Sequence, residues 1–291
     1  MTTQWREMSD ETLEASFNPR IASADAAGSL VRYATRSAEA RALLAKESQA
    51  QEDLRYGPGA TQTYDLYRPH GDAQGRPLVI FIHGGYWRAL DKSDHSFVVP
   101  PLIAAGAVVV NLNYDLCPDV TLDVMCQQVI QGVRHCHANA AGWGADPNQT
   151  ILIGHSAGAH LAARVLNATA DEHGRPADLV CGVVAISGVY EPQVVLRIPT
   201  VNEQAQITAD VAEQNDCLVR PVLGAPRLAV WAGGDEPEAW INQSRRYAEH
   251  AERHGLACTF FELPGTDHFT VLERSFEPTS NGWQAIASFL E

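Results

Sequence analysis

Seven short apolar runs, at residues 63–67, 78–82, 108–112, 151–153, 180–186, 228–231 and 259–263, narrow what this chain can become. Each is rich in Val, Ile, Leu or aromatic residues, as strands buried on both faces are. Helical stretches at 122–140, 157–170, 238–254 and 283–290 lie between most of them. Strand followed by helix, repeated, predicts a mostly parallel central sheet with helices on both faces. At 291 residues and 45% hydrophobic content the chain is long enough to bury the core this needs.

Two segments break the rhythm. Residues 1–55 are rich in Ala, Glu, Arg and Ser, with helix expected over 21–51. Residues 190–223 are long and polar between two strands. The expected layout is one domain over 1–291, with 1–55 as a helical extension and 190–223 as an insertion. Together the two segments are expected to form a lid.

The formal charge is -14, with 21 Lys and Arg scattered among 35 acidic residues and no basic stripe. Nucleic-acid binding runs on clustered cations, so no nucleic-acid partner is expected. No apolar run approaches the roughly 18 residues that span a bilayer, so no membrane partner is expected either. The first ten residues carry no apolar signal core. The six cysteines show no Cys-x-x-Cys pair or framework spacing. Reduced thiols in the cytoplasm are the expectation.

Gly154-His155-Ser156-Ala157-Gly158 matches Gly-x-Ser-x-Gly between an apolar run and a helical stretch. That context is the nucleophile elbow, a strained turn that lifts a serine hydroxyl above a sheet, and it points to the α/β-hydrolase fold. A plain Gly-Ser turn is the weaker alternative in this setting. The hydroxyl needs a base, and the partners in such folds follow in the order Ser, acid, His. Asp235 ends the run Ala229-Val-Trp-Ala-Gly-Gly-Asp235, with Glu236 and Glu238 as rivals. An acidic helix cap is the other role open to Asp235. His268 follows the last run and, of eleven histidines, alone satisfies order and context. The expected catalytic set is Ser156, Asp235 and His268.

The oxyanion of an acyl-transfer intermediate needs backbone donors. Ala157, directly after the serine, supplies one; Gly84 and Gly85, in His83-Gly84-Gly85-Tyr86-Trp87 after an apolar run, are the others expected. No Gly-Lys-Ser/Thr follows, so this is not a phosphate loop. His135 and His137, two apart on a helix, face different sides, so no metal site is expected.

His83-Gly-Gly-Tyr-Trp87 followed by Gly154-His-Ser-Ala-Gly158 resembles the arylformamidases (kynurenine formamidases) of the α/β-hydrolase superfamily. The likeness extends to Asn113-Tyr-Asp-Leu-Cys-Pro118, Ser187-Gly-Val-Tyr190 and Asp267-His268-Phe269, and faintly to Phe17-Asn-Pro-Arg20. It implies cofactor-free hydrolysis of an N-formyl arylamine such as N-formyl-L-kynurenine, with the same triad and oxyanion donors. Related esterases carry a third glycine at the Tyr86 position. Tyr86, Trp87 and Tyr190 are expected to wall the substrate site, packing beneath the lid being their alternative role. The insertion departs from the family pattern and is expected to shape the acyl and leaving-group pockets. A small-acyl carboxylesterase or other amidase is the alternative function, and a non-catalytic binding module the remote one. The expected partner is a small aryl amide or ester, and a homodimer is an allowed assembly.

Overall fold

Successive side chains of a strand point to opposite faces, so a run that is apolar throughout needs cover on both sides. In the computed structural model, which describes residues 4–171, 173–224 and 226–291, this is how the sheet is used. Leu78, Ile80 and Ile82 enter one core, while Val79 and Phe81 enter the other. Leu152 and Ile151 part in the same way on the next strand but one in the chain.

The eight strands are β1 Ser48–Arg55, β2 Thr63–Pro69, β3 Arg76–Ile82, β4 Val108–Leu112, β5 Ala145–His155, β6 Gly182–Ile186, β7 Arg227–Gly233 and β8 Cys258–Leu263. They form one sheet in the order β1-β2-β4-β3-β5-β6-β7-β8. The six from β4 to β8 run parallel, and β1 and β2 are antiparallel. The mostly parallel sheet matches the expectation.

Strand β1 differs, since helix was expected through residue 51. Its sequence, SQAQEDLR, carries no apolar alternation. Pairing with β2 at the sheet edge, rather than propensity, makes it a strand.

Helices α1 Asp10–Phe17, α2 Pro19–Ala22 and α3 Ala26–Glu47 precede the sheet. Buried Ala26, Ser29, Tyr33, Ser37, Ala40 and Leu44 recur at three- and four-residue spacing along α3, so one stripe packs down. Then come α4 Val99–Ala104, α5 Leu122–Asn139 and α6 Ala157–Asn167, followed by α7 Pro199–Ala205 and α8 Ala209–Gln214 in the insertion. The chain closes with α9 Glu238–Arg253, α10 Thr270–Ser275 and α11 Asn281–Ala287. One core takes its helical cover from α5, α6 and α9, and the other from α3, α4 and α11.

Candidate active site

Ser156 sits between β5 and α6 with φ 56° and ψ -119°, a backbone state that costs a non-glycine residue free energy. The flanks explain how the turn is held. A Cβ on Gly154 would lie 2.3 Å from the Gly158 carbonyl oxygen, and one on Gly158 would lie 2.0 Å from that of Ile82. The Ser156 N–H donates to the Ile186 carbonyl at 2.9 Å, tying the turn to β6. The side chain thus stands at the C-terminal end of the parallel strands, where ligands of open α/β sheets gather.

Ser156 Oγ lies 3.0 Å from His268 Nε2. On the far side of the ring, Nδ1 lies 2.7 Å from Glu236 Oε1. Glu236 Oε2 accepts from the Gly233 N–H at 2.7 Å, and Oε1 also accepts from Ser187 Oγ at 2.5 Å. Ser187 Oγ in turn accepts from Trp240 Nε1 at 2.9 Å. Donation from Nδ1 to the carboxylate leaves the Nε2 lone pair for the serine proton. All three side chains are buried, Ser156 and His268 each at 4% exposure and Glu236 at 6%.

Asp235 is not part of this relay. It is exposed, and its backbone N–H donates to the Thr266 carbonyl. The expected acid is corrected by one position, to its rival Glu236, because the turn after β7 carries Asp235 away from the histidine.

Around the serine, the Gly84, Gly85 and Ala157 N–H groups donate to no acceptor among the described residues. Gly85 has φ 127°, and a Cβ there would stand 1.8 Å from the Ala89 carbonyl oxygen, so this turn admits no side chain. A Cβ on Gly84 would be 3.2 Å from Ser156 Cβ, which measures how closely the loop approaches the nucleophile.

The cavity above Ser156 holds about 560 Å³ with its open mouth included. Its walls come from the glycine loop, from the catalytic loop and from 18–33 of the N-terminal extension. Tyr86 lines it, with its hydroxyl donating to the Phe17 carbonyl at 2.8 Å. Trp87 and Tyr190 do not, contrary to expectation. Trp87 is fully buried with Nε1 3.3 Å from His160 Nδ1, and Tyr190 stacks on Tyr247 at 4.2 Å between ring centroids. Both rings belong to the core beneath the loops.

Among the described residues, none from 190–223 lines the cavity either. The insertion instead braces the N-terminal helices from outside: Arg197 Nη2 donates to Asp10 Oδ1 at 2.6 Å and to the Met8 carbonyl at 2.7 Å.

The BD-FAE family model matches residues 64–205. The kynurenine formamidase of Danio rerio is 31% identical over 94% of this chain and 93% of its own length. That of Salmo salar is 32% identical over the same shares. The chain belongs to the kynurenine formamidase family. A solved candidate thioesterase from a Silicibacter species, 28% identical, shares the fold with a TM-score of 0.78 over 98% of both chains.

In this kynurenine formamidase relative, several residues around the site escape a reading of the sequence. Ser187 donates to the carboxylate and is held by Trp240 Nε1, and Ser187 stands in the Ser187-Gly-Val-Tyr190 segment that carries the family likeness. His155 lines the cavity inside the elbow motif itself, its Nε2 2.9 Å from the His268 carbonyl. Burial, chiefly, and then the neighbouring His268 push the His155 pKa well below the ordinary value, so it is neutral. Among the described residues no cluster of His, Cys, Asp and Glu is arranged to hold a metal ion.

Proposed function

We propose that this chain hydrolyses the formyl group of an N-formyl arylamine such as N-formyl-L-kynurenine, with Ser156 as nucleophile, His268 as base and Glu236 as the acid that orients it. The observation that carries this reading is the continuous relay from Ser156 Oγ through His268 to Glu236, at 3.0 and 2.7 Å, beneath a cavity. Its setting is a chain related over nearly its whole length to kynurenine formamidases.

His268 Nε2 removes the Ser156 proton as Oγ attacks the formyl carbon, and Glu236 supports the imidazolium that results. The Gly84, Gly85 and Ala157 N–H groups receive the oxyanion, each such donor contributing about 10²–10³ in rate. Collapse of the tetrahedral species passes the proton from His268 to the departing aryl amine. A water, deprotonated by the same ring, then releases formate from Ser156. The N-terminal helices serve as the lid, with Tyr86 hung from Phe17 as part of its inner wall. All six cysteines are unpaired, which accords with a reducing compartment, the cytoplasm.

A small-acyl esterase is the second reading, favoured by a relay that acts equally on an ester carbonyl. The two separate on a panel of N-formyl-L-kynurenine, its N-acetyl analogue, and p-nitrophenyl acetate and butyrate. The formyl amide should give the highest kcat/KM, each added methylene costing about 10- to 200-fold. Butyrate turned over faster, with the formyl amide untouched, would make this chain an esterase. Ser156→Ala should abolish turnover and fluorophosphonate labelling while the protein melts as before; residual turnover near wild type would remove Ser156 from the mechanism.

A further inference from the structure

The cavity above Ser156 is lined by two arginines, Arg20 and Arg88, and by no Asp or Glu. In a chain of net charge -14 this is an unusual concentration of one sign. Neither guanidinium pairs with a carboxylate among the described residues. Arg88 Nη1 donates to the neutral amide oxygen of Gln204. Its Nε is buried from solvent and has no partner among the described residues. A buried, unsatisfied N–H of a cation is costly, and this one belongs to a side chain that lines the cavity.

The side chain is also well placed. Arg88 lies three residues beyond Gly85, its N–H donating to the Gly85 carbonyl at 3.1 Å, so it belongs to the turn that faces the nucleophile. Arg20 enters from α2 on the opposite, lid side of the cavity. Burial, chiefly, and then the repulsion of Arg20 hold the Arg88 pKa below the ordinary guanidinium value, yet it remains a cation at neutral pH. An anion between the two would offset the repulsion of Arg20 and favour the charged form of Arg88.

Building on the hydrolase reading above, we propose that Arg88, with Arg20, is the specificity determinant of this site and binds a carboxylate on the leaving group. The preferred substrates are then formyl arylamines whose amine portion carries a carboxylate, and neutral aryl or alkyl acyl compounds are poor ones. A planar guanidinium matches a carboxylate through two parallel N–H donors, so Arg88 recognises geometry as well as charge.

The test compares N-formyl-L-kynurenine with its α-carboxamide, which differs only in the carboxylate. In the wild type, kcat/KM for the acid should exceed that for the amide by about 10- to 100-fold. The preference should shrink as salt is raised from 20 to 500 mM. In Arg88→Gln the ratio should fall towards one through a higher KM for the acid, and Arg88→Lys should restore part of it. A merely structural role for Arg88 would lower both substrates together and leave the ratio intact.

Inhibition of p-nitrophenyl acetate hydrolysis by L-kynurenine against L-kynurenine amide reads the same selectivity and needs no formamide turnover. If both formamides are inert while the acid still inhibits more tightly, the formamidase reading fails and the arginine site stands. A ratio near one in the wild type, for turnover and inhibition alike, overturns the arginine site.

Discussion

Glu236 reaches His268 because the chain turns before its side chain extends. Its N–H donates to the Gly233 carbonyl at 3.2 Å, closing a turn over 233–236, and its carboxylate folds back to accept from the Gly233 N–H. Asp235, inside that turn, is thrown outward. Glu236→Gln should therefore lower kcat on p-nitrophenyl acetate by up to about 10⁴, as expected when the histidine loses the acceptor that sets its tautomer. Asp235→Asn should stay within about threefold of wild type. The reverse ranking would return the acid to Asp235. The pair was legible in the sequence to within one residue, since strand, two glycines and an acid mark the place. Which acid turns inward depends on the Gly233–Glu236 hydrogen bonds, and on Ser187, itself held by Trp240 Nε1, meeting the carboxylate from elsewhere in the chain. No local pattern encodes those contacts.

At the scale of elements, the strands that carry the site were readable because burial on both faces demands apolar residues throughout, as in β3 and β5. The cover over the site was not. Its inner wall comes from α2 and α3, while the insertion supports it at long range through Arg197 and through Thr200, which bonds the Asn18 and Glu14 side chains. Contacts between residues about 190 apart leave no periodic trace in either segment. The exposed Arg197–Asp10 pair adds little stability by itself, but Arg197 also holds the Met8 carbonyl, which ties down the chain entering α1. Arg197→Ala should leave global melting within about 1 kcal/mol of wild type while loosening the cover. Limited trypsin digestion should then cut ahead of α3 sooner, and KM should rise about three- to tenfold with kcat less affected. Unchanged digestion and KM together would mean that the insertion does not brace the lid.

At the scale of the molecule, four of the buried histidines, His83, His95, His155 and His160, have their pKa lowered with burial as the largest cause. His95 and His160 are brought down to about 3. In the unfolded chain a histidine titrates near 6.5, so below that pH the unfolded state binds protons that the folded state refuses. Their contribution is thus fully present above about pH 6.5 and drains away as pH falls towards 3. Asp65, Glu191 and Asp216, raised chiefly by burial, act in the opposite sense on acidification and blunt the fall. His160 isolates the effect, because it lies outside the catalytic cavity, with its Nε2 2.8 Å from the Asn215 carbonyl. His160→Gln should lower stability at pH 7.5, yet lose less on going to pH 5.5. The difference between the two pH dependences should be about 1.4 kcal/mol, one histidine kept neutral a full pH unit below its unfolded value. Urea melts of both proteins at the two pH values would measure it. Parallel pH dependences would mean that His160 takes up its proton in the folded state, and that enclosure by α6 and the insertion does not keep the ring neutral.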